Sequence, residues 1–175
     1  MKFIPILLTT FLWTNFSKAQ FLDVNQFNSD SHQDKILIFL SNHCPCSVSH
    51  EDHLNYLARQ FKRIHFYGVL SEPLANNDNK VIKHFTEKKF NFPIVRDDQQ
   101  NLVNKYKALK TPHVTWLRKV NEKYEVIYQG GVSDKSDFTK SSVHFLEENL
   151  NRAIKGETMK YSYGRSLGCY IKRYN

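Results

Sequence analysis

Residues 35–47 read KILIFLSNHCPCS, and the order of their chemistry decides the architecture. Lys35 to Leu40 is a continuous apolar run rich in β-forming residues, the pattern of a strand buried on both faces. It delivers the chain to Asn42-His43-Cys44-Pro45-Cys46-Ser47, where two cysteines stand one residue apart. Beyond them Val48, Leu54, Leu57, Ala58 and Phe61 recur at three- and four-residue spacings, while Glu51, Asp52, Arg59 and Lys62 fill the opposite face; this predicts an amphipathic helix. Pro45 suits the first turn, where the N–H it lacks has no intrahelical acceptor anyway. Cys44 is thereby placed at or near the helix N-cap, where unpaired N–H groups and the helix dipole favour a thiolate. His50 and His53, further along the helix, are expected on its exposed side.

Working outward, His65 to Leu70 reads as a second strand, Ser71 to Asn79 as a loop, and Lys80 to Phe90 as a helix with Val81, Ile82 and Phe85 on one side. Phe92 to Val95 is a short strand, Gln100 to Lys107 a helix, and His113 to Lys119 with Tyr124 to Tyr128 a strand pair stopped by Gly130-Gly131. Asp134 to Asp137 offers N-cap chemistry for a long last helix to Lys155, with Val143, Leu146, Leu150 and Ile154 as its buried stripe and Gly156 as its C-cap. The order β-α-β-α-β-α-β-β-α implies parallel strands joined by helical crossovers, then a hairpin and a closing helix.

At the N-terminus, basic Lys2, an apolar run from Phe3 to about Phe16 and then Ser17-Lys18-Ala19 form a secretory signal peptide, residues 1–19, cleaved after Ala19. The apolar run is shorter than the roughly 20 residues of a spanning helix, which argues against an uncleaved anchor, and no later segment is long and apolar enough to cross a bilayer, so no stable membrane insertion is expected after cleavage. The rest, 175 residues in all with 41% hydrophobic content, suffices for one core, residues 20–155, and a tail, residues 156–175. Removing Lys2 and Lys18 lowers the net charge from +8 to +6, since 23 basic residues then face 17 acidic ones. No segment interleaves basic and aromatic residues as a nucleic-acid site would. Cys44, Cys46 and Cys169 form an odd set of thiols for an exported chain, which points to exchange chemistry or intermolecular pairing. The polar tail carries one apolar cluster, Leu167-Gly168-Cys169-Tyr170-Ile171, built to dock.

Three stretches taken together resemble the thioredoxin-like fold in its exported redoxin branch, related to thiol-disulfide oxidoreductases and peroxiredoxins: ILIFLSNHCPCS, FPIVRDDQQNLVNKYKALKTPHVTWL and EVIYQGGVSD. The resemblance covers roughly Gln33 to Lys155 and implies a mixed β-sheet flanked by helices, with an extra strand and helix inserted after the first βαβ unit. It also implies that Thr111-Pro112 is a loop with a cis proline facing the active cysteine and holding an extended substrate segment. The sequence departs from the family at Ser47, which stands where thioredoxins carry their second cysteine.

The reading that follows is an exported, periplasmic or secreted, thiol-disulfide oxidoreductase. Cys44 is its nucleophile, and Cys46 or Cys169 is the resolving thiol. Its partners are protein thiols or disulfides and a further redox protein; no cofactor is implied. A Cys44–Cys46 bridge spans a single residue and is strained, therefore labile. Cys169 is the less strained choice if the tail folds back. His43 is a candidate modulator through its charge or proton. Two alternatives use the same residues: a peroxiredoxin-like thiol peroxidase, from Ser41-Asn42-His43-Cys44, and a Cu(I)-binding metallochaperone, from the soft ligands His43, Cys44 and Cys46. A redox-inactive binding module on the same fold is the fourth reading.

Overall fold

The computed structural model describes residues 20–71 and 79–174; the signal-peptide reading of residues 1–19 lies outside them. The chain runs β1 (Phe21–Asp23), α1 (Val24–Ser29), β2 (Asp34–Phe39), α2 (Pro45–Gln60), β3 (His65–Leu70), α3 (Asn79–Glu87) and β4 (Ile94–Arg96). It continues through α4 (Asn101–Lys105), β5 (Lys110–Thr111), β6 (His113–Val120), β7 (Lys123–Gly130), a 3-10 turn (Phe138–Lys140), α5 (Phe145–Ala153), β8 (Tyr163–Gly164) and β9 (Cys169–Tyr170).

Seven strands form one mixed sheet in the order β1-β4-β3-β2-β6-β7-β8, and β5 pairs with β9 apart from it. The run KILIF becomes the central strand β2, parallel to β3 and antiparallel to β6. Its alternation divides the core. Ile36, Ile38 and Leu40 join Leu54 and Leu57 of α2 and Leu146 and Leu150 of α5 on one face. Leu37 and Phe39 join Leu102 and Val103 of α4 on the other. This is why the run is apolar at every position from Ile36 to Leu40: a central strand covered by helices on both sides has no solvent face. The extra strand is β4, reached through α3 and paired parallel to β3.

Three features depart from what the sequence predicts. The closing helix begins at Phe145, not at Asp134 to Asp137. Asp134 accepts from the N–H groups of Ser142 and Val143, and Asp137 from that of Thr139, so both carboxylates stabilise turns. Local side-chain bonds of this kind compete with helix formation. Ile154, expected in the buried stripe, is 62% exposed. The helix also ends early, at Ala153 with Ile154 as its C-cap, and Gly156, expected as the cap, stands two residues further on in the turn that follows, at φ 71. In α2, His50 and Glu51 are buried while Val48 is 36% exposed, because the polar residues find partners there. Glu51 meets His84 of α3 at 2.9 Å and Lys88 at 3.6 Å. The third change is at the edge, where β1 adds a short strand parallel to β4 that its three residues give no periodicity to predict.

Candidate functional site

The end of β2 and the start of α2 meet at Cys44, which is the N-cap of α2 with Pro45 in the first turn. Cys44 has extended backbone, φ −100 and ψ 109, and its carbonyl accepts the first helical bond from the N–H of Val48 at 3.0 Å. The preceding turn is fastened from inside: the Ser41 N–H donates to the Ser47 hydroxyl at 3.1 Å, and the His43 N–H to the Ser41 hydroxyl at 3.2 Å. Ser47, at the position of the missing cysteine, is fully buried and structural in its contacts. The His43 side chain lies on the exposed side of the turn.

Thr111-Pro112 is cis, as the resemblance implied, and it does face the thiol: Cys44 Sγ lies 3.1 Å from the Thr111 carbonyl oxygen. The third wall is the tail. β9 pairs antiparallel with β5, setting Cys169 opposite Thr111 and Tyr170 opposite Lys110. The Cys169 N–H donates to Cys44 Sγ at 3.3 Å, across 125 residues of chain. One sulfur from each of Cys44, Cys46 and Cys169 lies within 4.8 Å of the others. Gly168 is what permits so close an approach, since a Cβ there would stand 1.9 Å from the Thr111 carbonyl oxygen. Sequence reading gave Gly168 no role; only the docked geometry reveals it.

The three thiols are not equivalent. Burial pushes Cys44 upward, but hydrogen bonds from the Cys169 thiol, the Thr111 side chain and the N–H groups of Cys169 and Ser47 outweigh it and leave its pKa below the ordinary thiol value. Burial and the Cys44 charge raise Cys46. Cys169 is pushed up to about 12, first because its proton is held by Cys44, then by burial and the charges of Cys44 and Cys46. The set therefore ionises at Cys44, with Cys169 as its proton-bearing partner. Access runs the other way, for Cys44 is 1% exposed, Cys46 half-buried and Cys169 exposed.

His50 is a second residue that sequence reading assigned elsewhere. Its Nδ1–H donates to the Cys46 carbonyl oxygen at 2.7 Å, and its Nε2 accepts from the Ser133 hydroxyl at 2.8 Å. Burial lowers its pKa, so it holds the carbonyl of the first turn as a neutral imidazole. A histidine four residues after a cysteine on a predicted helix was the available signal.

No protein-family model and no curated protein matches the sequence. Among solved structures, the chain is similar to an uncharacterised conserved protein of Geobacillus kaustophilus at 22% identity, covering 82% of this chain and 79% of that one with a TM-score of 0.70. It is similar to a hypothetical protein of Sinorhizobium meliloti 1021 at 20% identity, covering 80% and 79%, TM-score 0.68. A thioredoxin-like protein solved in its oxidised form matches at 15% identity over 73% and 81%, TM-score 0.55. With the strand order, these establish a thioredoxin-like fold.

Proposed function

We propose that this protein is an exported thiol-disulfide oxidoreductase in which Cys44 is the nucleophile and Cys169 the resolving thiol. The observation that carries the reading is the meeting of three sulfurs within 4.8 Å at the N-terminus of α2. In the reducing direction the Cys44 thiolate attacks one sulfur of a partner disulfide, forming a mixed disulfide and releasing the partner's first thiolate. Cys169 then gives up its proton and attacks Cys44 Sγ. The partner's second sulfur leaves and is protonated, two electrons having passed to the partner and a Cys44–Cys169 disulfide remaining. A separate redox protein returns the pair to dithiols. Cys46 is the alternative resolving thiol; its bridge to Cys44 spans one residue and would be the more oxidising form.

Cys44 is covered by β9, so exchange requires the strap from Gly164 to Ile171 to lift. An extended protein segment then takes the place of β9 on Thr111 by main-chain pairing, the mode by which strands add to free edges. Among the described residues no helix is long and apolar enough to cross a membrane.

Disulfide mapping and turnover of a model protein disulfide test the reading together. A Cys44–Cys169 link in the oxidised protein, no turnover by Cys44→Ser and stalled mixed disulfides in Cys169→Ser are expected. Turnover by Cys44→Ser at the parental rate would overturn it.

The sulfur trio also favours a second reading, Cu(I) handling, because three thiolates suit that ion. In it Cys169 supplies the third ligand alongside Cys44 and Cys46. Cu(I) competition with a chelator, parent against Cys169→Ser, measures that affinity directly.

A further inference from the structure

Further along α2 from the cysteines stands a second group of metal-ligating side chains that the exchange reaction does not use. His53 lies nine residue steps beyond Cys44, about 13 Å along the helix axis. The His53 ring stacks on Phe138 of the 3-10 turn, with centroids 4.2 Å apart and planes at 24°. Its side chain is only 9% exposed, and its Nε2 is buried without a hydrogen-bond partner. That nitrogen faces Glu147 Oε2 at 3.5 Å, and the same oxygen lies 3.1 Å from Nδ1 of His144. His144 is the N-cap of α5 and Glu147 belongs to its first turn, so the cluster joins two helices.

We propose that His53, His144 and Glu147 bind Zn2+. One donor atom from each already lies within 4.8 Å of the other two. Tetrahedral Zn2+ with bonds of about 2.0–2.2 Å separates its ligand atoms by about 3.3–3.5 Å. The observed 3.5 and 3.1 Å lie around that separation, so small side-chain adjustments complete the geometry. His144 and Glu147, with side chains 32% and 25% exposed, leave a path for the ion and for the water that fills the fourth position. A pairing of His144 with Glu147 alone satisfies those two side chains but leaves the buried nitrogen of His53 without a partner. The ion satisfies it, and would clamp the helix that carries the thiols to the C-terminal helix.

The test uses the full chain with Cys44→Ser, Cys46→Ser and Cys169→Ser, which removes the thiols as competing ligands. Equilibrium dialysis against Zn2+ should leave one ion per chain, and Co2+ in its place should give the strong visible absorption of a tetrahedral site without a sulfur charge-transfer band. His53→Gln and Glu147→Gln should each weaken binding by about tenfold or more. Glu147→Gln, at a partly exposed position, keeps the test decisive if His53→Gln fails to fold. His65→Gln, which breaks a separate group of Asp30, His32 and His65, should leave binding unchanged. Absence of Zn2+ from the thiol-free chain, retention of parental affinity by a folded Glu147→Gln, or loss of the ion only in His65→Gln would overturn the proposal.

Discussion

Cys44 combines the chemistry of the thiol that ionises first with the burial of the one that is reached last. The two properties share a cause, because the strand that hides the sulfur also supplies the Cys169 N–H and thiol that stabilise its anion. Replacing Cys169 by Ala removes the side-chain donor and keeps the main-chain one. In a Cys46→Ser background, so that one motif thiol titrates, Cys169→Ala should therefore raise the pKa of Cys44, as ultraviolet thiolate absorbance against pH would show. An unchanged or lowered value would mean that the helix N-terminus alone sets the ionisation. The same logic applies to His50 at a distance: its bond to the Cys46 carbonyl fixes the first turn of α2, a contact invisible from its place on a predicted exposed face.

The tail segment around β9 is an element held at both ends. Upstream, β8 pairs with β7; downstream, Ile171 is buried in the core cluster with Leu102 and Val103, and Arg173 bonds Asn104 at 2.8 Å. Two residue pairs join β9 to β5, too little to hold a strand alone, so Ile171 is the anchor. Ile171→Ala removes burial of about 2 kcal/mol or more. If opening limits access, Cys44 alkylation at alkaline pH, where pKa differences no longer matter, should quicken by about tenfold or more. Gly168→Ala acts on the same element by another route, forcing β9 away from the Thr111 carbonyl, and should quicken alkylation as well. Should both variants label at the parental rate, the tail is not the barrier to Cys44.

For the whole molecule, the buried histidines set the response to acid. Burial lowers both His53 and His113 to about 4, against about 6.5 in an unfolded chain. Between those values the unfolded chain binds protons that the folded one refuses, so stability rises with pH there. Denaturant midpoints measured with a chelator present should be level above about pH 6.5 and fall as pH drops from there toward about 4. His53→Gln should make the fall shallower, whatever it does to the plateau. The sequence alone determined the features that depend on contiguous residues. The apolar run of β2, the N-cap place of Cys44 and the order of the main strands and helices follow from local periodicity, and the Thr111-Pro112 loop from the family resemblance. It misread the start of α5, where Asp134 bonds the nearby Ser142 and Val143 and local side-chain bonds compete with the helix, and the buried face of α2, where Glu51 meets α3 and a distant partner overrides the local pattern. The landing of Cys169 on Cys44, across 125 residues, and the gathering of His53 with His144 and Glu147 were decided by tertiary structure alone. Spacing in sequence carries no information about such meetings: packing of Ile171 and of α5 against the sheet brings those side chains together, and the entropy of closing the chain between them grows too slowly with its length to forbid it.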